Sequence, residues 1–190
     1  RIGGIQKCSL IDYPGKISAI IFTIGCNFHC PYCHNPELVN ETATEIPEDE
    51  VLEFLVRRKN LLDAVTITGG EPTIHKDLIP FIQKIKALGF LVKLDSNGTN
   101  PQLLETIQKK ALVDYIAMDI KAPLHKYSAS VARPVDVENI KQSISLLIAG
   151  KIPYEFRTTV VKSLLSPEDI QSIGESIKGA DTYYLQKFVP

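Results

Sequence analysis

The stretch GCNFHCPYCHNPE, residues 25–37, carries Cys26, Cys30 and Cys33 at the spacing C-x3-C-x2-C, three of the chain's four cysteines. Thiolates bind zinc or iron–sulfur clusters. A structural zinc takes four protein ligands, so His29, His34 or the distant Cys8 would have to complete such a site. An iron–sulfur cube held by three thiolates instead leaves one iron open to a substrate or cofactor. The cysteine spacing alone leaves both readings standing. Clustering on one short loop argues against three unliganded thiols. Cys8 stands apart and is expected to be a lone buried thiol, since cysteine ranks among the most buried residue types.

Four further segments are polar within otherwise apolar surroundings: GGEPT from Gly69, DSNGT from Asp95, MDIKAP from Met118 and EFRTT from Glu155. Lys121 stands two residues after Asp119, on the same side of an extended strand. Arg157 lies between apolar neighbours and needs a carboxylate there, with Glu155 two residues away on the same face. Asp95 and Asp119 end consecutive candidate strands. Brought together, two carboxylates need a compensating charge.

The elements that must position these residues alternate. Ile17–Ile24 is an apolar run of strand length. Strands are also expected at DAVTITGG, FLVKLDSNG, VDYIAMDIK, YEFRTTVV and TYYLQKF. Between them run amphipathic helical stripes. Pro47 opens one with Val51, Leu52, Leu55, Val56 and Leu62 on one face; Leu78, Ile79, Ile82, Ile85 and Leu88 form the next, closed by Gly89. Asn100-Pro101, Asp136 and Ser166-Pro167-Glu168-Asp169 read as helix starts, the last as a capping box. Six strand–helix units of βαβ size imply a parallel sheet with right-handed crossovers. On pattern alone it is either an open doubly wound sheet or a barrel. A complete eight-unit barrel needs about 250 residues and does not fit. In either architecture the polar segments fall at the C-terminal ends of the strands, where such folds work.

The 190 residues suit one domain, with residues 1–16 as a short N-terminal extension. A net charge of −1 gives no general affinity for nucleic acid or for anionic membrane. No apolar run approaches the roughly 18 residues of a membrane span. Clustered cysteines without a secretory signal point to a reducing, cytoplasmic compartment. The start at Arg1 without a methionine, and the stop at Pro190 after an apolar stretch, set the expectation of missing pieces at both ends.

The cysteine spacing together with Tyr32 resembles the radical S-adenosylmethionine (SAM) superfamily, whose motif is C-x3-C-x-aromatic-C. LIDYPGKISAIIFTIGCNFHCPYCHNPEL resembles the opening of the glycyl-radical-enzyme activases, and GGEP, DSNG, MDIK and RTTVV follow in their order. The chain looks most like the activating proteins of anaerobic ribonucleoside-triphosphate reductase in their longer form, with pyruvate formate-lyase activases as near relatives. The resemblance implies an α/β fold, a (β/α)6 partial TIM-type barrel of parallel strands forming one radical SAM core. It implies a [4Fe-4S] cluster on Cys26, Cys30 and Cys33, with SAM on the open iron. The vacancy left by a fourth thiolate is then the cofactor's place. Gly69 and Gly70 would meet the SAM ammonium with backbone groups, and Glu71 would add negative charge. Tyr32 would lie against adenine or cluster, and His34 would hydrogen-bond nearby. Ser96, Asn97, Asp119, Lys121 and Arg157 would complete the SAM site. Asp95 and Asp119 would hold Na+ or K+. The implied activity is reductive cleavage of SAM to place a glycyl radical on a partner enzyme, fed by a flavodoxin- or ferredoxin-type electron donor. The rivals are a radical SAM enzyme acting on a small molecule, and a zinc-stabilised binding domain on Cys26, Cys30, Cys33 and His34.

Overall fold

Six parallel strands stand side by side in the same order as in the sequence: β2 (Ser18–Thr23), β3 (Ala64–Gly69), β4 (Leu91–Ser96), β5 (Tyr115–Asp119), β6 (Tyr154–Val160) and β7 (Tyr183–Lys187). The computed structural model describes residues 1–189. Registers run level across the sheet: Ile21 faces Ile67, Ile67 faces Leu94, Leu94 faces Ile116, and Ile116 faces Tyr154. An unbroken strand order with helical crossovers is the winding of a barrel. Among the described residues the first and last strands do not pair, so the barrel is partial and open along one side.

The N-terminal extension is a correction to the sequence expectation. Ile2–Ser9 forms β1 and pairs antiparallel with β2 as the sheet's seventh strand. GGIQKC lacks alternating apolar residues because an edge strand needs mainly backbone pairing. Only Ile2 and Ser9, its two ends, are buried.

The helices are α1 (Pro36–Val39), α2 (Glu48–Arg58), α3 (Leu78–Ala87), α4 (Pro101–Lys109), α5 (Tyr127–Ser130), α6 (Val137–Ala149) and α7 (Pro167–Ser176). Their aliphatic stripes cover the outer face of the sheet. In α2 the buried stripe is Val51, Phe54 and Leu55; Val56, expected inside, is 55% exposed. Phe81 likewise joins Leu78, Ile82 and Ile85 in α3. Asn100 caps α4 by accepting from the Leu103 N–H, and Ser166 with Asp169 closes the capping box of α7. Gly89 ends α3 at φ +93°, a conformation glycine adopts without strain. Among the described residues no helix is long and apolar enough to cross a membrane.

Candidate cofactor site

The cysteine loop leaves the C-terminal end of β2, and its neighbours hold it on three sides. The Gly25 N–H donates to the Leu38 carbonyl at 2.8 Å, and the His29 N–H to the Val131 carbonyl at 2.9 Å. Phe28 is buried with its ring 6.2 Å from that of Tyr127. Asn27 bonds the turn after β4 twice, donating to Thr99 and accepting from Asn97, each at 2.8 Å. So fixed, Cys26, Cys30 and Cys33 line one cavity at the strand C-termini. Its empty space, open mouth included, is about 920 Å³, in the range of a small-molecule site. Burial pushes the Cys26 thiol up to about 12, against the Phe28 N–H that donates to its sulfur. Burial also raises Cys30, with Lys121 opposing.

Cys8 is exposed, contrary to the expectation of a buried thiol. It lies on edge strand β1, where Gln6 pairs with Ile20 and Ser9 with Ser18. That is the opposite end of β2 from the cysteine loop, roughly five residues at about 3.3 Å each.

The GGEP turn proves to be a lock on that loop. Gly69 has φ +117°, and a Cβ there would stand 2.2 Å from the Thr23 nitrogen; a Cβ on Gly70 would stand 1.9 Å from the Gly25 carbonyl oxygen. The close approach made possible by both glycines is to the backbone of β2 and its loop. The Gly70 N–H donates to the Thr23 carbonyl and the Glu71 N–H to the Gly25 carbonyl, both at 2.9 Å. The Glu71 side chain is 1% exposed. It accepts from the Thr73 N–H (3.1 Å), the Thr73 hydroxyl (2.5 Å), the Ser96 hydroxyl (2.9 Å) and the Asn97 N–H (2.6 Å). Burial raises its pKa, and these donors pull the other way. Glu71 thus ties the ends of β3 and β4 together while lining the cavity wall.

Asp95 and Asp119 do converge, and the charge between them belongs to the protein. Arg157 donates through Nη2 to Asp95 at 3.1 Å and through Nε to Asp119 at 2.9 Å. The other oxygen of Asp95 takes the Lys93 ammonium at 2.7 Å, and that of Asp119 takes Lys121 at 2.8 Å. All four carboxylate oxygens therefore face cationic nitrogens. Arg157 thus supplies positive charge at the pair where the resemblance implies Na+ or K+. The expected pair of Arg157 with Glu155 is also present, at the longer distance of 3.8 Å. Burial alone would raise Asp119, but Arg157 and then Lys121 outweigh it and hold the carboxyl well below the usual range. Asp95, Asp119 and Lys121 line the cavity; Arg157 sits behind them.

Tyr32 and His34 meet the end of β7. The Phe188 ring stacks on His34 at 5.2 Å and stands edge-on to Tyr32 at 6.3 Å, while the His34 Nε2 lies 2.9 Å from the Val189 carbonyl oxygen. His34 is thereby turned to the chain end. Among the described residues no three His, Cys, Asp or Glu side chains gather closely enough for a single metal ion. The buried Tyr32 hydroxyl has the Cys30 thiol beside it and makes no hydrogen bond of ordinary geometry among the described residues. Three half-buried thiols, a buried hydroxyl and a cationic Lys121 on one cavity fit a three-thiolate cluster with a charged ligand beside it.

Every residue expected from the sequence to touch the cofactors lines this cavity except Arg157. Asn27, Thr99, Lys93 and Phe188 were not anticipated. Lys93 was detectable as a lysine inside an apolar strand, two residues before Asp95; Phe188 offered no local signal.

Residues 20–178 match the profile of the radical SAM superfamily. A Methanocaldococcus jannaschii protein, provisionally named a glycyl-radical enzyme activating enzyme, is 40% identical over 197 residues, covering 100% of this chain and 80% of that protein. The pyruvate formate-lyase-activating enzyme of Listeria monocytogenes is 33% identical over 132 residues, covering 64% of this chain and 53% of its own length. The chain thus spans about half of that relative. Among solved structures, TYW1 with a lysine-pyruvate adduct bound gives a TM-score of 0.70 at 20% identity, over 91% of this chain and 65% of its own. Native anSMEcpe with bound AdoMet gives 0.66 at 18%, over 88% and 50%. At such identities the structural likeness is one of fold.

Proposed function

The chain belongs to the radical SAM superfamily and, within it, to the glycyl-radical-enzyme activase family, and on that premise we propose that it cleaves SAM reductively to generate a glycyl radical on a partner enzyme. The partner we propose is anaerobic ribonucleoside-triphosphate reductase, from the resemblance of the cysteine-loop opening. The observation that carries the reading is the gathering of Cys26, Cys30 and Cys33 with the ends of β3, β4 and β5 around one cavity. When bound, the cluster and SAM supply one-electron cleavage of a sulfonium bond and abstraction of a hydrogen atom.

The chain's own residues hold, orient and exclude. Cys26, Cys30 and Cys33 would hold a [4Fe-4S] cluster, leaving one iron without a protein thiolate. Lys121 presents the cation for the SAM carboxylate, backed by Asp119 and Arg157. Ser96 and Asn97 shape the wall where the end of β4 meets the cysteine loop, and Glu71 adds buried negative charge to it. Gly69 and Gly70 serve SAM indirectly by seating the cysteine loop. Tyr32, packed by Phe188, shields the cluster side from water. The cavity mouth at the strand C-termini gives a protein loop its approach. A flavodoxin- or ferredoxin-type protein in a reducing cytoplasm would supply the electron. The net charge of −1 gives no support to a nucleic-acid substrate.

Anaerobic reconstitution followed by a 5′-deoxyadenosine assay, with and without anaerobic ribonucleoside-triphosphate reductase, tests the reading. About four irons and four sulfides per chain are expected, with a glycyl radical signal on the reductase. A colourless protein holding one zinc would overturn it.

A further inference from the structure

Below the cavity floor the barrel interior is charged, where parallel barrels mostly pack branched aliphatic side chains. Lys93 is 1% exposed, and its ammonium lies 2.7 Å from Asp95 and 3.8 Å from Glu155. Glu155 is 6% exposed and accepts from the Tyr115 hydroxyl at 3.1 Å. Its other cationic neighbour is Arg157, at 3.8 Å. Arg157 in turn forks onto Asp95 and Asp119, and Asp119 takes Lys121. The strand registers build this arrangement. Asp95 faces Ala117, Ala117 faces Glu155, and Asp119 faces Arg157. The small Ala117 leaves room between two acids. Three cations meet three carboxylates, so the set is neutral as a whole. Asp95, Asp119 and Lys121 reach the cavity wall; Lys93 and Glu155 do not.

A buried ammonium is costly unless it is paired. A leucine or methionine would fill the space of Lys93 without that cost, so packing does not explain the residue. Charge does. Without Lys93, one guanidinium would face Asp95, Asp119 and Glu155 together. Arg157 would then be drawn toward Glu155, and Asp119 would lose its Nε donor.

We propose that Lys93 is a positioning residue for the cofactor cavity: by neutralising Glu155 and Asp95 from below, it keeps Arg157 forked on Asp95 and Asp119 and so holds Asp119 and Lys121 in the wall. The proposal rests on the reading that this cavity takes SAM. It makes the site independent of added monovalent cation, because the protein supplies the ion that two aspartates need.

Isothermal titration of SAM into the reconstituted protein, in NaCl, KCl and tetramethylammonium chloride at equal ionic strength, tests it. Wild type should bind equally in all three salts. Lys93→Met should bind about tenfold more weakly in tetramethylammonium and recover in Na+ or K+, which can enter the uncompensated site. Lys93→Met with Glu155→Gln restores neutrality and should bind like wild type in every salt. The double variant also answers where Lys93→Met alone does not fold. Lys93→Met binding like wild type in all three salts would overturn the proposal, as would a folded double variant that binds weakly in every salt. Melting of the cluster-free proteins separates this from failure of the functional reading. Na+ or K+ should raise the melting temperature of Lys93→Met and leave wild type unchanged, whether or not SAM binds; equal responses would count against the ion layer itself.

Discussion

Replacing Gly70 with alanine should cost the protein its cluster before it costs it SAM. An added Cβ would lie 1.9 Å from the Gly25 oxygen and 2.6 Å from the Gly25 carbon, both backbone atoms. Ordinary contact begins at 3.4 Å, so the two strands' ends must part by about 1.5 Å. The Gly70 N–H to Thr23 and Glu71 N–H to Gly25 bonds span that seam. Losing both costs about 2 kcal/mol, or roughly 4–8 °C of melting temperature for a domain of this size. Cys26 follows Gly25 directly and moves with it, and a displacement of about 1 Å at a reacting site costs about a hundredfold in rate. The assay is iron and sulfide content after reconstitution, beside a melting curve and a SAM titration. Gly70→Ala should melt lower and lose most of its iron. Gly174→Ala is the control: on α7 an added Cβ meets no atom within 4 Å, and the change should stabilise by about 0.5–1 kcal/mol. A Gly70→Ala protein with full iron content and wild-type melting, yet weakened SAM binding, would refute the reasoning and return the glycine to direct ligand contact.

Alanine at Cys26, Cys30 or Cys33 should each abolish iron binding, whereas Cys8→Ala should leave it intact, since Cys8 is exposed at the far end of β2; loss of iron in Cys8→Ala would break the three-thiolate assignment. Asp119→Asn should flatten the acid limb of the melting-temperature profile. Burial raises the Asp119 pKa, but Arg157 and Lys121 carry it below the unfolded value of about 3.9. Its contribution is therefore whole above about pH 4 and is lost as pH falls toward the folded value. Parallel acid limbs for the variant and wild type would show that Asp119 is not held as described.

The parts of this fold legible in the sequence were those written in local periodicity. Strand β2 reads as an apolar run because helices and barrel interior bury it from both sides, and Ser166 with Asp169 announces α7 through a bond three residues long. Strand β1 gave no such signal, since its partner is β2 and not its own alternation. Val56 shares the apolar periodicity of the stripe but stays outside, because Phe54 takes that part of the face at the i+3 position from Val51. The cavity residues were legible because strand C-termini in a parallel sheet converge, which turns four separate polar segments into one rim.

What lies between those segments was not legible, and the reason is the same in each case. Gly69 and Gly70 show that something approaches closely, but the sequence cannot show whether it is a ligand or Thr23 and Gly25 of the next strand. Asp95 and Asp119 show that a positive charge is needed, but a free ion and the Arg157 guanidinium satisfy that need alike until the register is known. In the observed register Asp119 faces Arg157 and Thr23 faces Gly69, so each demand finds a partner within the protein. In both places the interior met a local demand that looked like a ligand's. The thiols differ. Cys26, Cys30 and Cys33 end in a cavity where Lys121 is the nearby cation, its charge already shared with Asp119, and where the buried Tyr32 hydroxyl makes no hydrogen bond of ordinary geometry among the described residues. That unmet demand is what separates a binding site from the well-satisfied polar interior beneath it.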